Sequence, residues 1–194
     1  MGLSALNEST GQTPRVEVLP DLSFARYGAV DVHTPAAGSL DVTLMLVFDE
    51  TAVQYQVDQL IAARRGPSSS VDGAALRTIP VQELLQTFEE TVTVTTTGEP
   101  MPELLSDDLV REIKAAGPSN ADSLRWLARV YVTAHAFRRP PAKAVQQQLQ
   151  MPTPTASVWI RRARDRGFIP STIGTGAHMS EDLYELAKRQ LRGF

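Results

Sequence analysis

Hydroxyl groups and arginines share one short stretch of the chain. Thr153, Thr155 and Ser157, with Val158 beside them, precede Arg161, Arg162 and Arg164 in the segment TPTASVWIRRAR. On a single helix the hydroxyls would occupy the first turns, where a helix laid in a DNA groove points at base edges, and the guanidiniums farther along would reach phosphates. Arg138, Arg139 and Lys143 stand just upstream and add phosphate-directed cations. Bond-making chemistry has far thinner support. His33, His135 and His178 are isolated from one another at no metal-ligand spacing, and the chain has no cysteine. The acid pairs Asp49-Glu50, Glu89-Glu90 and Asp107-Asp108 fall at turns or helix ends, where solvation and capping account for them. Gly174-Thr175-Gly176 lacks the preceding strand and third glycine of a dinucleotide loop. No catalytic residue, metal or cofactor is therefore expected, and the chain does not read as an enzyme. Trp126 and Trp159 are expected in the core, since each shares its helix face with apolar neighbours.

The elements that position these side chains are punctuated by proline and glycine. Pro140 and Pro141 open a helix, because the missing proline N–H is not needed in the first turn. Ala144, Val145, Gln148 and Leu149 continue it at helical spacing. Gln150-Met151-Pro152 stops it, since the residue before proline is pushed out of helical geometry. Thr153 is the expected cap of the next helix, with Pro154 at its first position. Ala156, Trp159, Ile160 and Ala163 recur at i, i+3, i+4 and i+7 and define its buried face. Gly167 ends it, and Phe168 and Ile169 are expected to fold back onto the core. An amphipathic run from about Asp122 to Phe137, carrying Leu124, Leu127, Ala128, Tyr131, Ala134 and His135, supplies a preceding helix. The expected arrangement is a helix-turn-helix backed by a third helix.

This segment resembles a helix-turn-helix family of actinobacterial proteins, in which a "VAxVY" helix precedes an "RPPxxAVAxxxGVxxSTAxxWVRxARxxGFL" pattern. The resemblance rests on Leu127-Ala128-Arg129-Val130-Tyr131, Arg139 to Val145, Thr155-Ala156, Trp159 to Arg164 and Gly167-Phe168-Ile169. A weaker echo is Leu76-Arg77-Thr78-Ile79-Pro80-Val81, similar to an "LRxIPL" stretch in such proteins. Departures fall at Gln146, where the pattern has a small residue, at Gln150, where it has glycine, and at Pro152, where it has a polar residue. The resemblance implies DNA binding and carries no further biological role.

Charge distribution points the same way without reference to the pattern. The chain as a whole is mildly acidic, with 19 basic and 22 acidic residues. Residues 121–194 nevertheless hold 12 basic and 5 acidic side chains, and residues 1–120 hold 7 and 17. The excess is confined to residues 121–170, where Asp122 and Asp165 are the only acids. Such segregation is a footprint for a polyanionic partner, although a solvated helix face can show it too.

With 194 residues, 42% of them hydrophobic, the chain can bury a sizeable core or two small ones. No apolar run approaches membrane-spanning length and no signal-peptide pattern opens the chain, so a cytoplasmic, soluble protein is expected. Residues 1–22 read as a flexible lead-in. Residues 23–97 read as an α+β module. Within it, Ala29 to His33, Leu40 to Phe48 and Val53 to about Ile61 form a small antiparallel sheet, and Val71 to Arg77 and Val81 to Glu90 two short helices. The third run also suits a helix, through Val57, Leu60 and Ile61. Thr91 to Thr97 has strand propensity. Residues 98–118 read as a linker at Gly98 to Pro102 and a connecting helix from Ser106 to Ala116, residues 119–170 as the helix-turn-helix domain, and residues 171–194 as a loop and a final helix from Ser180. The expected fold class is thus α+β, an N-terminal small antiparallel sheet with helices followed by a C-terminal all-α helix-turn-helix domain. The expected function is a DNA-binding transcriptional regulator, a homodimer on double-stranded DNA. The alternative is an adaptor whose trihelical part binds an acidic protein.

Overall fold

A computed structural model of the chain describes residues 14–34, 40–64, 66, 70–94 and 105–173. Strands β1 (Arg15–Leu19), β2 (Leu22–Ala25), β3 (Tyr27–Thr34), β4 (Leu40–Asp49) and β5 (Gln54–Arg64) come first. Helices α1 (Gly73–Arg77) and α2 (Val81–Val92) follow, then the two-residue β6 (Thr93–Val94). The rest is helical: α3 (Asp107–Ala116), α4 (Ala121–Ala136), α5 (Pro141–Gln148) and α6 (Thr153–Asp165).

This corrects the expected fold class in two respects. The strands divide into two three-stranded sheets, β1-β2-β6 and β3-β4-β5, where one small sheet was expected. Residues 15–22, which read as part of the lead-in, fold with residues 23–25 into a hairpin whose turn uses Asp21 at φ 64°. Secondly, the helices are not a separate all-α unit, because their buried side chains and those of the sheets belong to one apolar core. Phe24 of β2 stacks on Phe48 of β4 at 5.0 Å, and Tyr55 of β5 meets Phe88 of α2 and Phe137, the residue capping α4, at 5.1 Å each. Tyr55 is fully buried, so its hydroxyl needs a partner; it donates to the carbonyl of Ala25 at 2.7 Å. Burial pushes its ionisation far above the ordinary phenol range.

Strand β4 shows why the central sheet forms. Leu40, Val42, Leu44, Leu46 and Phe48 are buried, and the alternate residues face outward. The run from Val53 was ambiguous between strand and helix for a reason now visible. Val57 lies opposite Leu46 and Gln59 opposite Met45, which leaves Asp58 as an unpaired bulge residue. The bulge puts Val57 and Leu60, three residues apart, on one face, and a spacing of three imitates a helix. Gly28 is required where α2 crosses β3, since a Cβ there would lie 1.9 Å from Phe88 Cζ.

Helix α3 begins at the expected cap, with the Ser106 hydroxyl accepting from the Leu109 N–H at 3.3 Å, and ends at Gly117 with φ 77°. The Pro35 to Ser39 turn, the Gly98 to Pro102 linker, the glycines of residues 174–176, His178 and the helix expected from Ser180 to Phe194 lie outside the described residues. Among the described residues no helix is long and apolar enough to cross a membrane.

Candidate nucleic-acid interface

Three helices end in the same way, and their ends set the angles between successive helices. After α4, the N–H groups of Arg138 and Arg139 donate to the carbonyls of His135 (3.0 Å) and Ala134 (2.8 Å). After α5, those of Gln150 and Met151 donate to Gln147 (3.3 Å) and Gln146 (3.0 Å). After α6, those of Gly167 and Phe168 donate to Arg164 (2.9 Å) and Ala163 (2.8 Å). Each is a Schellman turn, which needs a left-handed residue just past the helix. Arg138 (φ 57°), Gln150 (φ 48°) and Gly167 (φ 73°) are those residues.

Gln150 therefore occupies the position where the resembling pattern carries glycine, and it is held there from α3. Its Nε2 donates to Asp107 at 2.9 Å, and its carbonyl accepts from Lys114 Nζ at 3.2 Å. The other departure, Gln146, also has an observed partner: its Oε1 accepts from the Thr153 hydroxyl at 3.1 Å and ties α5 to the start of α6. Thr153 is thus a bridge and not the cap. The N-cap is Pro152, no side chain caps the helix, and the prolines stand at Pro152 and Pro154. Proline cannot donate, and it fixes a backbone suited to entering a helix.

Ala156, Trp159, Ile160 and Ala163 are buried, as their spacing requires, and Ile169 returns to the core. The opposite face of α6 exposes Thr153, Thr155, Ser157, Val158, Arg161, Arg162, Arg164 and Asp165. The Ser157 hydroxyl donates back to the Thr153 carbonyl at 2.9 Å, which leaves its oxygen free to accept. Val158 is 39% exposed, high for an aliphatic side chain on a helix with a packed face.

The cations expected to touch phosphate separate into two groups. Lys143, Arg161 and Arg162 are exposed and make no ion pair among the described residues. Arg164 donates to the Tyr131 hydroxyl at 2.6 Å. Arg138 is exposed and reaches back to Gln56 of β5, and Arg139 is ion-paired with Glu89 of α2, the side chains of Arg139 and Glu89 both being mostly buried. Arg138 is thus turned toward β5 and Arg139 toward α2, and nothing local in the sequence marks Gln56 or Glu89 as their partners. The remaining arginines of residues 121–170 are engaged as well: Arg125 with Asp122, Arg129 with Asp21 and across the Trp126 ring, and Arg166 with the Ser119 carbonyl. Trp126 is half-buried at the edge of the core and not within it, whereas Trp159 is buried as expected.

His135 sits between α4 and the β4–β5 turn. Its Nε2 donates to the Ala52 carbonyl at 3.0 Å, and the Gln54 amide lies 3.5 Å from Nδ1. Burial holds its pKa below the ordinary imidazole value, against a smaller opposing effect of the Ala52 carbonyl. The backbone of His33 pairs with that of Asp41. Among the described residues no group of histidine and carboxylate side chains could hold a metal ion. Compared with known proteins, the chain matches no family model, no curated protein and no solved structure.

Proposed function

We propose that the chain is a cytoplasmic, sequence-specific binder of double-stranded DNA, a transcriptional regulator that lays α6 in the major groove. The observation that carries this reading is the exposed face of α6. Its first two turns offer Thr155, Ser157 and Val158, and its next turn offers Arg161 and Arg162 without acidic partners among the described residues. Hydroxyls suit base edges, a branched aliphatic suits a thymine methyl, and unpaired guanidiniums suit phosphate. Lys143 on α5 adds a cation on the neighbouring helix. Arg138, Arg139 and Arg164 contribute to the field around the site while their side chains are spent on Gln56, Glu89 and Tyr131.

One such helix reads only a few base pairs, so a homodimer on paired half-sites is part of the reading. Selection from a random duplex library with the full chain tests it and returns the site. The full chain is required because the helices share their core with the sheets. Enrichment of a common sequence, bound more tightly than random duplex and with a steep salt dependence, is the expected result. No affinity for any duplex at low salt would overturn it and leave the basic face to an acidic protein surface, the adaptor reading.

A further inference from the structure

We propose that β5 is the edge through which two copies of this chain pair, antiparallel and about a two-fold axis at Ile61. The inference gives the homodimer of the preceding reading a surface, but its test is independent of DNA.

Strand β5 is the last in the order β3-β4-β5, so its outer backbone groups have no strand partner among the described residues. Its first residues are committed to the core: Tyr55 is buried, Gln56 accepts from Arg138 and Gln54 faces His135. Beyond the bulge at Asp58 the strand runs on against β4 with its side chains open to solvent, apart from Ala62, which is partly buried. Ile61 is 51% exposed and Leu60 38%, and Met45 and Tyr27 on the neighbouring strands are exposed as well. A long apolar edge of this kind is a template for another strand, and proteins normally block it with charge or proline. Here no charge or proline interrupts Gln59-Leu60-Ile61-Ala62-Ala63, and the charges stand only at its two ends, Asp58 and Arg64.

Those two charges select the partner. Neither makes an ion pair among the described residues. In an antiparallel pairing centred on Ile61, Ile61 opposes its own copy, Leu60 opposes Ala62, Gln59 opposes Ala63, and Asp58 opposes Arg64. The strand is therefore complementary to itself, in the isologous manner that closes a two-fold dimer. Both ends gain an opposite-charge cross-strand pair, and the central residues bury apolar surface.

The test is the mass of the full chain by sedimentation across a range of concentrations, with three exposed-site variants whose folding is checked by circular dichroism. The wild-type chain should dimerise, and Ile61→Lys should leave a monomer. Asp58→Arg alone sets Arg against Arg64, and Arg64→Asp alone sets Asp against Asp58, so each should weaken self-association by about tenfold or more. Mixing these two variants restores opposite charges at both ends, and the mixture should dimerise. A merely structural role for either residue would not produce that recovery. A wild-type chain that stays monomeric overturns the proposal. So does a dimer indifferent to all three variants, which would move the interface elsewhere, the segment of residues 174–194 included, and so does a mixture that stays monomeric.

Discussion

Arg164 on α6 donates a hydrogen bond to the Tyr131 hydroxyl on α4 at 2.6 Å, with its guanidinium 5.3 Å from the centre of the same ring. The contact ties α6 to α4 behind it and gives the exposed Arg164 guanidinium a partner within the protein. Tyr131→Phe deletes the acceptor and keeps the ring. It should lower stability by about 1 kcal/mol, the net worth of one partly exposed hydrogen bond. Affinity for random duplex should not fall, since the freed Arg164 retains its charge. Chemical denaturation beside a duplex titration checks both halves, and a large loss of nonspecific affinity would make Tyr131 itself a contact.

Arg162 should behave in the opposite way. It is exposed and unpaired among the described residues, so Arg162→Ala should leave stability within about 0.5 kcal/mol of the parent, as is usual for surface changes. Its loss should weaken binding to all duplexes alike and reduce the slope of log affinity against log salt by about 1. Thr155→Ala and Ser157→Ala should instead relax preference at one or two base pairs. If all three variants act identically on selected and random duplexes, α6 does not read bases.

The part of the fold most legible in the sequence is the part that proline and glycine punctuate. Pro140-Pro141, Pro152 and Gly167 mark where α5 and α6 begin or end, and the spacing of Ala156, Trp159, Ile160 and Ala163 gives the buried face directly. Long-range pairing leaves no such mark. Glu89 and Arg139 are 50 residues apart, and Gln56 and Arg138 are 82 apart, so two cations that read as phosphate ligands have partners on α2 and β5 that no local pattern announces. The β1–β2 hairpin was hidden for a related reason. Of β1 only Val16 is buried, β2 is four residues long, and the turn between them holds no glycine. One buried side chain in a polar stretch reads as a lead-in until its partner strand is seen.

Gln150 offers a direct measurement of what the turn between α5 and α6 costs. A non-glycine residue at φ 48° is disfavoured sterically, and Gln150 is held there by Asp107 and Lys114. Both Gln150→Gly and Gln150→Ala remove the side-chain bond to Asp107, but only glycine accepts the left-handed backbone freely. The glycine variant should therefore exceed the alanine variant in stability by about 1 kcal/mol. Equal stabilities would mean that the turn relaxes out of its left-handed geometry.

His135 makes the junction between α4 and the β4–β5 turn sensitive to pH. Its Nε2–H···O bond to Ala52 needs a proton on that nitrogen, and a second proton on Nδ1 would face the Gln54 amide from a half-buried position. Burial is the dominant reason that its pKa lies below the ordinary value. The sign then follows from linkage. Between the unfolded pKa of about 6.5 and the lowered folded one, the unfolded chain binds more protons than the folded chain, so stability falls as pH falls through that window. Above the window the contribution is complete, and below both values it has been lost. Urea unfolding measured from about pH 7.5 to pH 5, above the range where carboxylates titrate, should show this decline in the parent chain. His135→Gln cannot take up the proton, so its stability should be lower at neutral pH and flat across the same range. A variant that keeps the parent's slope would place the titrating group elsewhere and leave His135 a neutral packing residue in both states.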